Sequence, residues 1–154
     1  MTTVQGSEEW VKQRLGKVTA SVIHKVYSDK LTATKKNLMR SLALERLSGS
    51  RMSNIKTVDM ARGLAIEPLA RKAYEIATQQ KVSLVGFISH PDIKNAGASP
   101  DGLIGEKGFI EIKCLNIRNH NQIIKNKKIP KQYYYQMQFQ LACSQREGGA
   151  FVAY

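Results

Sequence analysis

Ser99-Pro-Asp-Gly-Leu-Ile-Gly-Glu-Lys-Gly-Phe-Ile-Glu-Ile-Lys-Cys-Leu115 is the stretch on which both fold and chemistry turn. Its second half, from Phe109 onward, is β-prone. Side chains alternate along a strand, so Glu111 and Lys113 point to one face while Ile110 and Ile112 point to the other. Asp101 closes a polar turn marked by Pro100 and Gly102. A hairpin through Gly105-Glu-Lys-Gly108 returns the chain and brings that turn beside Glu111. Two hard carboxylates then face one point, a donor set suited to Mg²⁺ or Mn²⁺. Lys113 sits next to them, placed to orient or help deprotonate a water. Glu-x-Lys alone is a common decoration of exposed hairpins. The preceding Ser-Pro-Asp-Gly at this spacing separates it from that background.

Composition narrows the partners. The chain has 154 residues and is 42% hydrophobic, enough for one globular domain spanning 1–154. It carries 24 Lys and Arg against 12 Asp and Glu, a net charge of +12. So lopsided a field favours a polyanion, and nucleic acid fits it best in the absence of an amphipathic membrane-binding segment. There is no apolar run of membrane-spanning length, and Met1-Thr-Thr-Val-Gln has no signal-peptide character, so a cytoplasmic location is expected. Cys114 and Cys143 lack metal-ligand spacing and suggest no disulfide scaffold or iron–sulfur cluster. Carboxylates are scarce, so gathering Glu67, Asp101 and Glu111 in a basic protein costs repulsion unless a cation binds there.

Punctuation along the chain predicts an α+β (mixed α/β) domain. Ser7 caps a first helix that Gly16 ends, and Thr19 caps a second over Ala20–Tyr27. A third helix runs from about Thr34 to Leu47 with Gly49 as its stop, followed by a polar link over residues 48–54. A fourth covers about Thr57 to Gln79, with Pro68 as a kink or restart. Strands are expected over residues 82–88, 96–104 and 109–114. A helix over 116–126, a basic loop over Lys125–Lys131, a helix over 132–144 and a strand over 150–154 complete the chain.

Five segments carry a resemblance. They are Glu9-Trp-Val-Lys-Gln-Arg-Leu-Gly-Lys-Val-Thr-Ala-Ser21, Arg62-Gly-Leu-Ala-Ile-Glu-Pro68, Ser99-Pro-Asp-Gly-Leu103, Ile110-Glu-Ile-Lys-Cys114 and Tyr135-Gln-Met-Gln-Phe-Gln-Leu141. In this order the sequence resembles the phage lambda exonuclease-like viral recombinase nucleases (YqaJ-type) of the PD-(D/E)xK restriction-endonuclease-like superfamily. That resemblance implies a restriction-endonuclease-like core, a central mixed β-sheet flanked by helices. It implies a Mg²⁺-dependent exodeoxyribonuclease, with Mn²⁺ as a substitute, that digests linear double-stranded DNA 5′ to 3′ and leaves 3′ tails for phage recombination. Asp101, Glu111 and the Ile112 carbonyl would bind the metal, Lys113 would be the catalytic lysine, and Glu67 would complete the metal and water shell. Gln136 would face the site from a later helix, with Gln140 on the same helix face.

Arg14 and Ser21 match the place where the family holds the 5′-terminal phosphate, with Ser99 assisting. Ser21 falls in the first turn of the second expected helix, where free N–H groups favour an anion, and arginine binds phosphate in a two-pronged contact. A single-strand annealing protein and a homotrimeric ring are the partners the resemblance implies, in the cytoplasm of a bacterial host. Leu115 departs from the family, whose members often have proline there. Two other readings remain open at this point: an endonuclease or structure-specific nuclease of the same fold, and a non-cleaving DNA-binding recombination module. His120 with Arg118, and the Lys125–Lys131 run, are further candidates for backbone contact. Trp10 is expected in the core.

Overall fold

The computed structural model describes residues 3–51 and 58–154. The expected polar link is therefore described only through Arg51, and Thr57, the expected start of the long helix, lies outside the described residues. The chain forms two compact units.

The first unit takes Met1–Asn54, Val85–Ser99 and Lys131–Gln145. Its α1 (Glu8–Arg14) begins as read, with Ser7 Oγ accepting from Trp10 N–H at 3.2 Å and Glu8 and Glu9 in the first turn. Helix α2 (Ala33–Ser48) starts on Thr32, whose Oγ1 accepts from Lys35 N–H, and stops at Gly49 in the left-handed conformation. The α-helix expected over Ala20–Tyr27 is instead a short 3₁₀ helix, Ala20–Lys25. Consecutive Val22 and Ile23 are stiff β-branched residues that disfavour a regular helix, and Thr19 provides no side-chain cap there.

Three short strands make the first sheet. Strand β4 (Ala96–Ala98) pairs parallel with β1 (Val18–Thr19) and antiparallel with β3 (Ile88–Ser89). Helix α5 (Lys131–Ser144) packs on the 3₁₀ helix and on β3 and β4. Cys143 and Phe139 of α5 meet Ala20, Ile88 and Ala98 there. Of the three consecutive tyrosines, Tyr135 stacks on Tyr27 with ring centroids 4.1 Å apart, while Tyr134 is half exposed.

The second unit takes Ile55–Leu84, Pro100–Pro130 and Arg146–Tyr154. Its sheet has the order β2 (Val82–Ser83), β5 (Gly102–Ile104), β6 (Gly108–Lys113), β7 (Gly148–Ala153). The first three are antiparallel neighbours, and β7 runs parallel to β6 along all six residues. Ile110 and Ile112, as the alternation requires, enter a core with Val82 and with Ala70 of α3 (Val58–Thr78). On the opposite face Phe109 is fully buried across from Gly149, where a side-chain carbon would collide with its ring. Pro68 lies inside α3, and α4 (Ile117–Asn126) is capped by Asn116. The fold is thus mixed α/β as expected, with its strands divided between two mixed sheets.

Candidate active site

The β5–β6 hairpin builds the first cluster. Gly102 pairs with Ile110, and no side chain fits at Gly102 because Val82 occupies that space. One residue earlier, Asp101 N–H donates to the Ile110 carbonyl at 3.1 Å. Strand β5 does not extend to the register of Ile112. The Asp101 carboxylate takes that place, its Oδ2 accepting from Ile112 N–H at 2.6 Å. Within a strand, a residue's N–H and C=O leave by the same edge. The Ile112 carbonyl therefore points off the edge on which Asp101 sits.

Glu111 and Lys113 follow on the other face of β6. Glu111 is 1% exposed, and Lys113 Nζ stands 2.6 Å from its Oε1. Glu67 comes from α3, three residues before Ala70 and so on the helix face that packs against β6. Arg71, one turn on, holds Glu67 Oε1 from Nη2 at 2.5 Å. Three carboxylates are thus gathered against two paired cations. Burial raises the Asp101 carboxyl well above its ordinary range, and the charges of Glu111 and Glu67 push it the same way. The Ile112 N–H and Lys113 oppose this. Glu67 is also raised, by burial first and by Glu111, against the pull of Arg71 and Lys113. Burial, then the charges of Glu67 and Asp101, raise the Cys114 thiol, which argues against a nucleophilic cysteine.

A cation would relieve this imbalance. Hard carboxylate oxygens beside a strand carbonyl suit Mg²⁺ or Mn²⁺, and Mg²⁺ keeps several waters when few protein ligands are offered. Among the described residues no group of three or more His, Cys, Asp or Glu side chains is gathered to hold one ion. The fitting set is therefore Asp101, Glu111 and the Ile112 carbonyl, with Glu67 standing off on Arg71.

The first unit carries the second cluster. Ser99 Oγ accepts from Trp10 Nε1 at 2.9 Å and from Arg14 Nη1 at 3.3 Å. The Arg14 guanidinium lies 4.1 Å over the Trp10 ring. Trp10, expected in the core, is half-buried and holds these two expected phosphate ligands. Burial, and then the charge of Arg51, lower the Arg14 pKa to about 10. Ser21 is exposed, its Oγ 3.1 Å from Thr19 Oγ1. The helix N-terminus expected beneath Ser21 is missing, since the 3₁₀ helix is too short to supply one, so any anion here would rely on side chains. The turn between Arg14 and Lys17 is clamped by α2. Glu45 Oε2 accepts from Gly16 N–H at 3.0 Å, and Arg46 Nε donates to the Gly16 carbonyl at 2.7 Å.

The remaining candidates are spread over both units. Gln136 and Gln140 lie on α5 of the first unit, half-buried and fully buried respectively. His120 is half-buried on α4, and the lysines from Lys125 to Lys131 are all exposed. Arg71 and Arg51 were not singled out from the sequence. Arg71 was within reach of it, as a basic residue four positions after Glu67. Arg51 was not, because only the tertiary fold brings it to Arg14.

The profile of the YqaJ-like viral recombinase domain matches residues 9–147. Among curated proteins no relative matches. Two solved structures are similar over 96% of this chain and 74% of theirs. One is LHK-Exo in complex with dAMP, at 45% identity and a TM-score of 0.91. The other is the alkaline exonuclease LHK-Exo from Laribacter hongkongensis, at 44% and 0.90. A phage-related exonuclease from Haemophilus somnus 129PT shares the fold at 22% identity and a TM-score of 0.68, over 90% of this chain and 68% of that one.

Proposed function

Because this chain belongs to the YqaJ-like viral recombinase domain family and is similar to an alkaline exonuclease, we propose that it is a metal-dependent exodeoxyribonuclease that digests linear duplex DNA from 5′-phosphorylated ends. The observation that carries the reading is the Asp101 carboxylate on Ile112 N–H, at the β6 edge beside buried Glu111 and half-buried Lys113. Asp101, Glu111 and the Ile112 carbonyl would hold Mg²⁺ or Mn²⁺, which supplies charge for the scissile phosphate and a more acidic bound water. Lys113 would orient the attacking water in line with the scissile bond. Glu67, held by Arg71, would accept a hydrogen bond from the water and help position it. Gln136, on α5 of the first unit, would contribute a further contact to the DNA. Arg14, Ser99 and Ser21 receive the 5′-phosphate and set the direction, leaving 3′ single-stranded tails for an annealing protein. The dAMP in the similar LHK-Exo structure is a deoxynucleoside monophosphate, the kind of product that end-directed hydrolysis releases.

The test is Mg²⁺-dependent digestion of one linear duplex, with 5′-phosphate or 5′-hydroxyl ends, beside its closed circular form. Loss of the linear DNA alone, faster with phosphate and abolished by Asp101→Ala, is expected. Cutting of the circle would make this an endonuclease. End-directed digestion that survives Asp101→Ala would remove the assigned site.

A further inference from the structure

The cleft around Arg14 has a charge excess that Arg14, Ser21 and Ser99 alone do not explain. A cavity of about 130 Å³ in the first unit is lined by Arg14, Lys17, Thr19, Ser21, Glu45 and Arg51, among others. Three of these residues are cations and one is a carboxylate. Glu45 is turned to the Gly16 N–H, and the Lys17 ammonium lies 4.9 Å over the Phe87 ring. The two cations of this lining with a forked, two-pronged donor geometry are the guanidiniums of Arg14 and Arg51. Among the described residues, neither has a carboxylate within ion-pair distance. Arg14 is half-buried and fixed by Ser99 and Trp10, whereas Arg51 is exposed two residues beyond the Gly49 stop of α2. Keeping two like charges at one cleft, one of them partly desolvated, is unfavourable unless an anion lies between them. The lowered proton affinity of Arg14 reflects both its burial and the charge of Arg51.

The charge of the guanidinium pair can be matched to a ligand. A terminal phosphomonoester carries about −1.5 to −2 near pH 7. An internal phosphodiester carries only one negative charge. Two guanidiniums suit the first, because each can contact separate phosphate oxygens in a two-pronged geometry that lysine cannot reproduce.

We propose that Arg51 is a specificity-determining residue of this cleft: with Arg14 it matches the double charge of a terminal phosphomonoester and so distinguishes a DNA end from an internal phosphodiester. This rests on the reading of the Arg14–Ser99 cleft as the end-binding site. Arg14 supplies the fixed half of the recognition. Arg51, exposed beside it, supplies the half that responds to the second charge.

The test measures binding without metal, in EDTA, to short duplexes ending in 5′-phosphate, 5′-methylphosphate or 5′-hydroxyl. The methyl ester keeps the phosphate's position and removes its second charge. Wild-type protein should prefer phosphate to methylphosphate by about tenfold. Arg51→Met should bind those two ends alike yet still prefer both to hydroxyl, and Arg51→Lys should restore only part of the discrimination. If wild type does not separate phosphate from methylphosphate, or if Arg51→Met separates them as well as wild type does, the proposal fails. Arg14→Met tests the underlying reading separately: an unchanged preference for phosphate over hydroxyl in that variant would show that the end binds elsewhere, whatever Arg51 does.

Discussion

The carboxylate cluster of the second unit and the arginine cleft of the first are opposite in charge and in construction. One gathers Asp101, Glu111 and Glu67 on a strand edge and a packed helix, against Arg71 and Lys113. The other gathers Arg14 and Arg51 from a helix end and the segment after α2, with Glu45 turned to the backbone. The first carries an excess of carboxylates and the second an excess of guanidiniums. A rigid strand suits chemistry, where misplacement by an ångström is costly. A cleft with one fixed and one exposed arginine suits capture of an end, where reach matters more than exact alignment.

The largest effects should separate these roles. Lys113→Met or Glu111→Gln should lower turnover of linear duplex by about 10³-fold or more while leaving DNA affinity within a few-fold, measured by single-turnover digestion and anisotropy. A variant that lost binding and kept its rate once saturated would break the division. Arg14→Met should act the other way, raising KM for 5′-phosphorylated duplex about 10- to 100-fold with little change in kcat.

A third prediction concerns stability. The folded Asp101 carboxyl holds its proton to higher pH than in the unfolded chain, where its pKa is about 3.9. Its stabilising contribution is therefore complete below about pH 4 and is lost as pH rises through the folded value. Metal-free protein should have a Tm that falls over this range, and Asp101→Asn should flatten the slope and be the more stable at neutral pH. Each kcal/mol regained corresponds to about 2–4 °C. Adding Mg²⁺ to wild type should reverse the trend. Thermal melts across pH would show it, and a wild-type Tm that rises with pH in EDTA would count against the buried-acid account.

Two smaller effects sharpen the structural side. Gly16 has a φ of +63°, and a side-chain carbon there would collide with Arg46. Gly16→Ala should cost about 1–3 kcal/mol in denaturant unfolding and weaken end binding with it. Arg146 Nη1 donates to the Gly105 and Gly108 carbonyls at 2.9 and 2.7 Å. Arg146→Ala should cost about 1 kcal/mol by the same measurement and leave the phosphate preference untouched.

How much of this was legible follows from the same contrast. Strand alternation places Glu111 and Lys113 together whatever else the chain does, so that cluster could be read from a few consecutive residues. Helix ends were legible where a capping side chain or a left-handed glycine marks them, as at Ser7 and Gly49, whereas α2, expected from about Thr34, starts on the Thr32 cap, and Asn116, expected inside its helix, caps it. Residues 82–88 and 96–104, each read as one strand, are each two strands in different sheets. Pro100 offers no ladder donor and constrains Ser99 before it, and Gly86 is pressed against the backbone of Thr3. Apolar alternation says that a residue is buried, but not in which sheet. Trp10 and Arg51 escaped for a related reason: their roles depend on partners 89 and 37 positions away, Ser99 and Arg14 respectively.

Parallel pairing of β6 with β7 has a consequence in time. Strand β6 gains its second neighbour only from residues 148–153, and the Lys113 carbonyl accepts from Tyr154 N–H at 3.0 Å. A chain made from its amino end, at about 5–20 residues per second, must therefore produce every other described element before the strand beneath Lys113 is complete. Truncating the chain after Ser144 should leave Arg14 and its cleft foldable while the carboxylate cluster stays unassembled. During synthesis, capacity to hold an end would precede capacity to cut it.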